Sequence, residues 1–267
     1  MKNKYKHSNS PVDAKKHLGQ HFLIDKSIAQ DIVEALTFHN QYDNLLEIGP
    51  GTGVLTDFLL QNTTVNFKAI DIDKESIAFL KTKYENLTLI SGDFLQMDLN
   101  DVFQTKPFGI IGNFPYNISS QIFFRVLDFK DLVPEVVCML QKEVAQRLCS
   151  GPGNKDYGIL SVFLQAWYDM EYLFTVHEHV FDPPPKVKSG VIRVKRNKVT
   201  DLGCDEVLFR KIIKQAFSMR RKTLRNGLKP LNLPENFLND AFFNKRAEEL
   251  GVEEYITLTN KIALTMP

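Results

Sequence analysis

Four consecutive residues, Asn113-Phe114-Pro115-Tyr116, follow a short apolar run at 108–111 and are the leading candidates for chemistry in this chain. The run reads as a buried parallel strand. Proline fixes its own φ and keeps the residue before it extended, so the turn is stiff and its carbonyls point in set directions. Such a turn suits the holding of a planar exocyclic amine. The Asn113 side-chain oxygen and a neighbouring main-chain carbonyl can each accept one N–H, while the Tyr116 ring lies flat on the attached base. Read alone, the stretch is equally a strand ending in an X-Pro turn with Tyr116 as packing. The elements that must position it decide between the two.

Those elements begin with a strand at 44–48 that runs into Gly49-Pro50-Gly51-Thr52-Gly53 and then an amphipathic helix at 54–60. Strand, glycine turn and helix open a doubly wound sheet, in which ligands bind outside the carboxyl ends of the strands. A dinucleotide fingerprint needs G-x-G-x-x-G, but the residue three after Gly51 is Val54. The pattern is G-x-G-x-G, preceded by Glu47. An acid there repels a pyrophosphate, whereas it can meet the cationic end of an amino-acid-like ligand. A ligand-free βα turn is the plain alternative. A second strand at 65–72 carries Asp71, 22 residues past Gly49, where an acid at a strand tip binds ribose hydroxyls in such folds. Asp73 reads as the cap of the next helix. A third strand at 87–91 leads to Asp93, which either accepts from an adenine amine or caps a turn, and the fourth leads to Asn113. Four parallel strands therefore bring polar groups to one edge.

The remaining composition is that of an ordinary soluble chain: 267 residues, 43% hydrophobic, 24% charged, formal net charge +1. No run approaches the roughly 18 apolar residues needed to span a membrane, and the first seventeen residues show no secretory leader. Cys138, Cys149 and Cys204 have no metal-ligand or redox spacing, so no metal is expected and a cytoplasmic location is. The charge is unevenly placed. Residues 209–229 hold Arg210, Lys211, Lys214, Arg220, Arg221, Lys222, Arg225 and Lys229 with no acid, and the amino-terminal tail adds Lys2, Lys4, Lys6, Lys15 and Lys16 against Asp13. A solvated helix face normally mixes signs, so a one-sign block favours phosphate contacts.

With these residues in place the chain resembles S-adenosylmethionine-dependent methyltransferases of the adenine-N6 type. More closely, Gly19-Gln20-His21-Phe22-Leu23, Asn113 through Ser119, Leu140 through Ala145, Val180-Phe181-x-Pro183-x-Pro185-Lys186-Val187-x-Ser189 and Arg220 through Asn226 resemble the small-subunit (16S) ribosomal RNA adenine dimethyltransferases, the kasugamycin-resistance family. The resemblance runs from about Lys15 to the end of the chain. It implies an α/β, Rossmann-like class I methyltransferase sheet with an antiparallel seventh strand, and a small all-α carboxy-terminal domain. It also implies transfer of methyl groups to N6 of two adjacent adenosines near the 3′ end of that RNA, with a role in subunit maturation. S-adenosylmethionine is the implied cofactor, and 16S RNA in the small (30S) subunit the implied partner of a monomeric enzyme. The implied cofactor site comprises His21, Leu23, Gly49, Asp71, Asp93 and Asn113, alongside Glu47 and Gly51 from the glycine turn. The family often has Asn, Glu and Leu where this chain has His21, Asp71 and Phe114; Asp71 still accepts two hydroxyls but reaches one methylene less.

The chemistry follows from the amine. Its lone pair is delocalised into the ring; two acceptors, Asn113 Oδ1 and the Phe114 carbonyl, draw the nitrogen toward sp³ geometry and aim the pair at a methyl donor. Tyr116 and Phe181 are expected to clamp the extruded base, with packing the plain alternative for Phe181. A polar linker after Arg196 divides the expected catalytic domain, 1–196, from a helical basic domain, 197–267, whose Arg220, Arg221, Lys222 and Arg225 should grip the RNA backbone. Helices are expected at 158–168, 236–243 and 258–264. Three rival readings remain: a large-subunit RNA methyltransferase, a largely non-catalytic RNA-assembly or transcription factor of the same fold, and, more distantly, an NAD-dependent oxidoreductase.

Overall fold

The computed structural model describes residues 10–235 and 237–265. Lys2, Lys4, Lys6 and Asn236 lie outside the described residues.

The strands are β1 (Phe22–Leu23), β2 (Asn44–Ile48), β3 (Asn66–Asp71), β4 (Thr88–Ser91), β5 (Phe108–Asn113), β6 (Glu135–Gln141), β7 (Tyr168–Val176), β8 (Phe181–Asp182) and β9 (Ser189–Arg196). Seven of them form one sheet in the order β4-β3-β2-β5-β6-β9-β7. β2 pairs in parallel with β3 on one side and β5 on the other, and β9 runs antiparallel to β6, as the resemblance implies. From β2 the chain winds outward through β3 and β4, then returns across β2 to lay down β5 and β6. The direction of winding therefore changes between β2 and β5, which opens a crevice at their carboxyl ends.

Apolar runs without alternation become the central strands because helices cover both faces. Phe108, Ile110, Ile111, Val136, Val137, Met139, Val191, Ile192 and Val194 are all fully buried, and each such side chain contributes roughly 1.5–3 kcal/mol. Gly112 is dictated by closeness: a Cβ there would lie 2.5 Å from the Ile48 carbonyl oxygen. A bare backbone lets the end of β5 lie against the tip of β2.

The helices of this unit are α1 (Lys26–Glu34), α2 (Thr56–Leu59), α3 (Lys74–Lys83), α4 (Leu99–Val102) and α5 (Ser119–Asp128). Asp25 starts α1 by accepting the amides of Ser27 and Ile28, and Asp73 starts α3 by accepting that of Glu75. Two features have no counterpart in the sequence pattern: the short helix α4, and a two-stranded antiparallel sheet of β1 and β8 pairing Leu23 with Phe181.

Helices α6 (Lys142–Cys149), α7 (Ile159–Gln165), α8 (Glu206–Ser218), α9 (Leu224–Gly227) and α10 (Val252–Ala263) complete the chain. Contacts divide it into two compact units. One runs through Ala145 and resumes over Asp169–Arg196; the other takes Gln146–Tyr168 and continues from Asn197. The second unit thus draws in a segment that a single boundary after Arg196 leaves with the first. In it, α8 buries Leu208, Phe209, Ile212, Ile213 and Ala216, α10 buries Tyr255, Leu258 and Ile262, and α7 buries Leu160 through Leu164.

Boundaries shift for local reasons. The expected helix 158–168 stops at Gln165, because Tyr168 already begins β7. The expected helix 236–243 is two 3₁₀ turns, Phe237–Asn239 and Ala241–Asn244, separated by Asp240, whose carboxylate accepts the Phe242 amide and restarts the chain. The last helix begins six residues earlier than expected, at Val252, where Glu254 reaches back 3.0 Å to the Gly251 amide.

Candidate active site

The ends of four strands converge on a cleft of about 820 Å³. Gly49, Gly51, Asp71, Asp93, Asn113, Phe114, Pro115 and Tyr116 line it, together with the strap Leu18–Phe22 and the apolar Ile72 and Leu95. Gly51 has φ +57°, and a Cβ there would meet the Phe22 ring at 2.8 Å, so the glycine is what lets the strap lie on the turn.

The Asp71 carboxylate accepts the Asp73 amide at 2.8 Å and the Gly51 amide at 3.4 Å. Burial pushes its carboxyl above the usual range, partly opposed by those amides. Asp93 accepts the Leu95 amide through one oxygen at 2.9 Å. Beside them Ile72 stands 53% exposed, an apolar wall next to two hydrogen-bond acceptors.

At the far side of the cleft the turn is pinned from three directions. The Phe114 amide donates to the Met139 carbonyl at 2.9 Å, and its ring is buried edge-on against Phe123. The Asn113 Nδ2 donates to the His21 carbonyl at 2.9 Å. Once the amide nitrogen is committed, Oδ1 is the atom left to accept. The Tyr116 hydroxyl bonds Ser189 Oγ at 2.6 Å, and burial raises its pKa.

The strap is tied down by side chains to which the sequence pattern assigns no role. Lys15 Nζ pairs with Asp73 and, at 3.3 Å, with Glu75; Gln20 Nε2 reaches Asp73 at 3.1 Å. Burial alone would raise the Asp73 carboxyl, but these partners hold it below the usual range. The signal available was the mixture of Gly, Gln, His and Phe in a segment without turn character, which lies over the cleft.

A second cavity, of about 990 Å³, adjoins the first through shared residues Gly19, Gln20, His21 and Tyr116, and is closed by Gln141 and residues 183–187.

Several predicted residues are elsewhere. Phe181 is 3% exposed in the core beside Leu23, Val180 and Leu36, and lines neither cavity, so its ring is packing and not a clamp. The ring that meets Tyr116 is His21, at 5.5 Å between centroids. Leu23 is likewise a core residue, acting through its pairing with Phe181. Glu47 does not line the cleft: it is buried beneath the glycine turn, accepts the Thr56 hydroxyl at 2.6 Å, and burial lifts its pKa to about 8. It is therefore mostly neutral at pH 7 and meets no cationic ligand group.

The basic block divides. Arg220 gives its guanidinium to the Lys155 carbonyl and lies 3.6 Å from Glu248; Arg225 Nη2 donates to the Leu238 carbonyl at 2.6 Å. Both tie loops of the second unit together. Arg221 and Lys222 are exposed, as are Lys211, Lys214 and Lys229. Among the described residues no helix is long and apolar enough to cross a membrane, and no group of three His, Cys, Asp or Glu could hold a metal.

A wound sheet in which β9 runs against β6, with its ligand crevice at the β2/β5 switch, is the fold of the class I methyltransferases, and solved structures agree. A dimethyladenosine transferase from Plasmodium falciparum is similar over 91% of this chain and 96% of its own, with TM-score 0.73 and 25% identity. The 23S rRNA methyltransferase ErmE shares the fold at TM-score 0.65 and 22% identity, over 91% of this chain and 99% of its own. The sequence is more particular. Residues 12–264 match the family described as ribosomal RNA adenine dimethylase, and the chain belongs to that family. It is 59% identical to ribosomal RNA small subunit methyltransferase A of Cytophaga hutchinsonii, over 94% of this chain and 98% of that protein. The protein of the same description from Flavobacterium johnsoniae is 56% identical, over 94% and 96%.

Proposed function

We propose that this chain dimethylates N6 of two adjacent adenosines near the 3′ end of 16S ribosomal RNA, within the small (30S) subunit, during its maturation. It is an S-adenosylmethionine-dependent methyltransferase, acting in the cytoplasm as a monomer. The observation that carries the reading is the Asn113 amide: its nitrogen is fixed to the His21 carbonyl, so its oxygen is presented in the same cleft as Gly49, Asp71 and Asp93. Relatives named for small-subunit RNA support the substrate; the likeness to ErmE is one of fold and does not favour large-subunit RNA.

The residues present fit the cofactor. Asp71 offers carboxylate oxygen to ribose hydroxyls, Asp93 keeps a second oxygen for an adenine amine, and exposed Ile72 with half-buried Leu95 gives the ring an apolar seat. A Cβ at Gly49 would meet nothing within 4 Å, so the bare backbone there borders open space. When bound, S-adenosylmethionine supplies a methyl group activated by its sulfonium.

The chain's own contribution is geometry. Asn113 Oδ1 and the Phe114 carbonyl, both on backbone locked to Met139, accept the two N–H groups of the adenine amine and turn its lone pair toward the cofactor side of the cleft. Neither group is a strong base, and none is needed before attack, because the proton becomes acidic once the nitrogen is alkylated. Tyr116, with its hydroxyl anchored on Ser189, presents its ring to the extruded base. Exposed Arg221 and Lys222 meet RNA phosphates.

The test is incubation with labelled S-adenosylmethionine and undermethylated small subunits, with nucleoside analysis of the product. Label in N6,N6-dimethyladenosine of the small subunit is expected. Label only in large-subunit RNA, or none, overturns the reading.

A further inference from the structure

His21 is the one side chain of the strap in hydrogen-bond contact with the polyproline wall of the second cavity. Its ring Nδ1 lies 2.8 Å from the Pro183 carbonyl oxygen. A carbonyl has no hydrogen to give, so Nδ1 carries the proton and donates. The same residue's main-chain carbonyl holds Asn113, and its ring lies against Tyr116. One residue therefore touches the amine-accepting turn, the stacking ring and the opposite wall.

That wall has few other means of attachment. Pro183, Pro184 and Pro185 carry no N–H, so this stretch can be held only through carbonyls and side chains. Among the described residues, 183–187 make no main-chain hydrogen bond to another main-chain group. The run is stiff and its two ends are held, by the Asp182 pairing with Phe22 and by the Lys142 amide on the Lys188 carbonyl; between them the His21 bond to the first proline carbonyl is the anchor on the strap.

We propose that the His21 imidazole is a positioning residue for the second methyl transfer, holding the Pro183–Val187 wall at a fixed distance from Tyr116 and Asn113. The inference rests on the adenine-methylation reading. An unmodified amine offers two protons to Asn113 Oδ1 and the Phe114 carbonyl. A monomethylated amine offers one, so it is held at the turn by one hydrogen bond fewer and depends more on the walls of the cavity to keep its base in place. The first transfer tolerates a loosened wall; the second does not.

Two substitutions separate the donor from the ring. His21→Phe keeps an aromatic ring against Tyr116 and deletes the N–H. His21→Asn deletes the ring and restores a donor, because Asn Nδ2 occupies the place of the imidazole Nδ1. Both keep the main-chain carbonyl on Asn113; a cooperative thermal melt near the wild-type temperature shows that each variant is folded, and because His21 lines the cofactor cleft the products are compared at saturating S-adenosylmethionine. In His21→Phe the ratio of monomethyl- to dimethyladenosine released from small subunits should rise about tenfold; in His21→Asn it should return to within about twofold of wild type. Limited trypsinolysis gives a readout independent of catalysis: cleavage after exposed Lys186 and Lys188 should accelerate at least fivefold in His21→Phe and not in His21→Asn. A His21→Phe protein with the wild-type product ratio and wild-type trypsin resistance overturns the proposal, as does an Asn variant that behaves like the Phe variant. Failure of the wild-type protein to methylate adenine would instead sink the functional reading, and the trypsin comparison would still judge the His21 anchor on the Pro183–Val187 wall.

Discussion

Asp71, Asp93 and Asn113 stand at the ends of three parallel strands and arrive in one cleft, whereas Arg220, Arg221, Lys222 and Arg225 come from one short basic run and part company. In the sheet unit the destination of a side chain is set by backbone pairing. Strands in register deliver their last residues to the same edge whatever those residues are. In the helical unit, where the run is broken by α9 and 3₁₀ turns, a cation goes where the local chain has left a carbonyl without a partner. Lys155 and Leu238 supply two such carbonyls, and each takes an arginine. Sign and spacing therefore locate chemistry in the first unit and only charge in the second.

The contrast breaks first if the polar residues of the cleft are only packing. Asn113→Ala should lower methyl transfer at least about 100-fold, the usual cost of losing one pre-placed hydrogen-bond group at a reacting centre. Cofactor binding, measured by calorimetry, should stay within a few-fold. Comparable loss of both would make Asn113 a cofactor ligand and nothing more.

Glu47 sharpens the same point, because it sits one residue inside the strand end and is sealed beneath the turn. Its pKa of about 8 exceeds the unfolded value of 4.5. Between those values the unfolded chain ionises while the folded chain keeps its proton, so stability must fall as pH rises from about 4.5 to 8 and level off above. At about 1.4 kcal/mol per unit as the upper limit, this residue should withdraw roughly 2–4 kcal/mol between pH 5 and pH 8. Denaturant melts of wild type and Glu47→Gln at both pH values isolate it. The difference between the two proteins should swing toward the variant at pH 8; an unchanged difference would mean that Glu47 is ionised in the fold.

How much of this was legible can be argued from the same residues. The parallel strands, the cleft at their carboxyl ends and the places of Asp71, Asp93 and Asn113 follow from apolar runs ending in polar residues, a pattern of period and position that a single chain displays. The cap Asp73 was legible for the same local reason. What stayed hidden depends on partners distant in sequence. Phe181 looked like a base clamp because an aromatic before a proline run is as apt to stack as to pack. Its burial is decided by β1, 158 residues upstream at Leu23, through a two-residue sheet too short to carry a pattern. Lys15 and Gln20 carry no spacing signal for Asp73, which lies 58 and 53 residues away. The membership of Gln146–Tyr168 in the second unit is invisible for the same reason: nothing within a short helix says which core will bury it.

Tyr116 tests whether the ring or the hydroxyl matters. Tyr116→Ala should cost about 10- to 100-fold in methyl transfer, in line with roughly 1–3 kcal/mol for a lost base–aromatic stack. Tyr116→Phe removes only the Ser189 bond and should cost less than about fivefold. Near-wild-type activity in Tyr116→Ala would remove stacking from the mechanism and leave the wall at Pro183–Val187 as the base's support.

The smallest effects separate the two halves of the basic run. Reversing Arg221 and Lys222 together should weaken binding to naked small-subunit RNA several-fold at moderate salt. It should also reduce the slope of log affinity against log salt by about 1.5–2, since each lost phosphate contact removes close to one released counterion. Thermal stability should be unchanged, because both side chains are exposed. Arg225→Gln should do the reverse. It leaves the Leu238 carbonyl without its donor, a loss of roughly 1–3 kcal/mol of stability, while the salt slope shifts by much less than one. If instead Arg225→Gln flattened the salt dependence and spared the melting temperature, that arginine would have to leave Leu238 when RNA binds. The helical unit would then deliver its cations to the substrate as dependably as the sheet delivers its acids to the cleft.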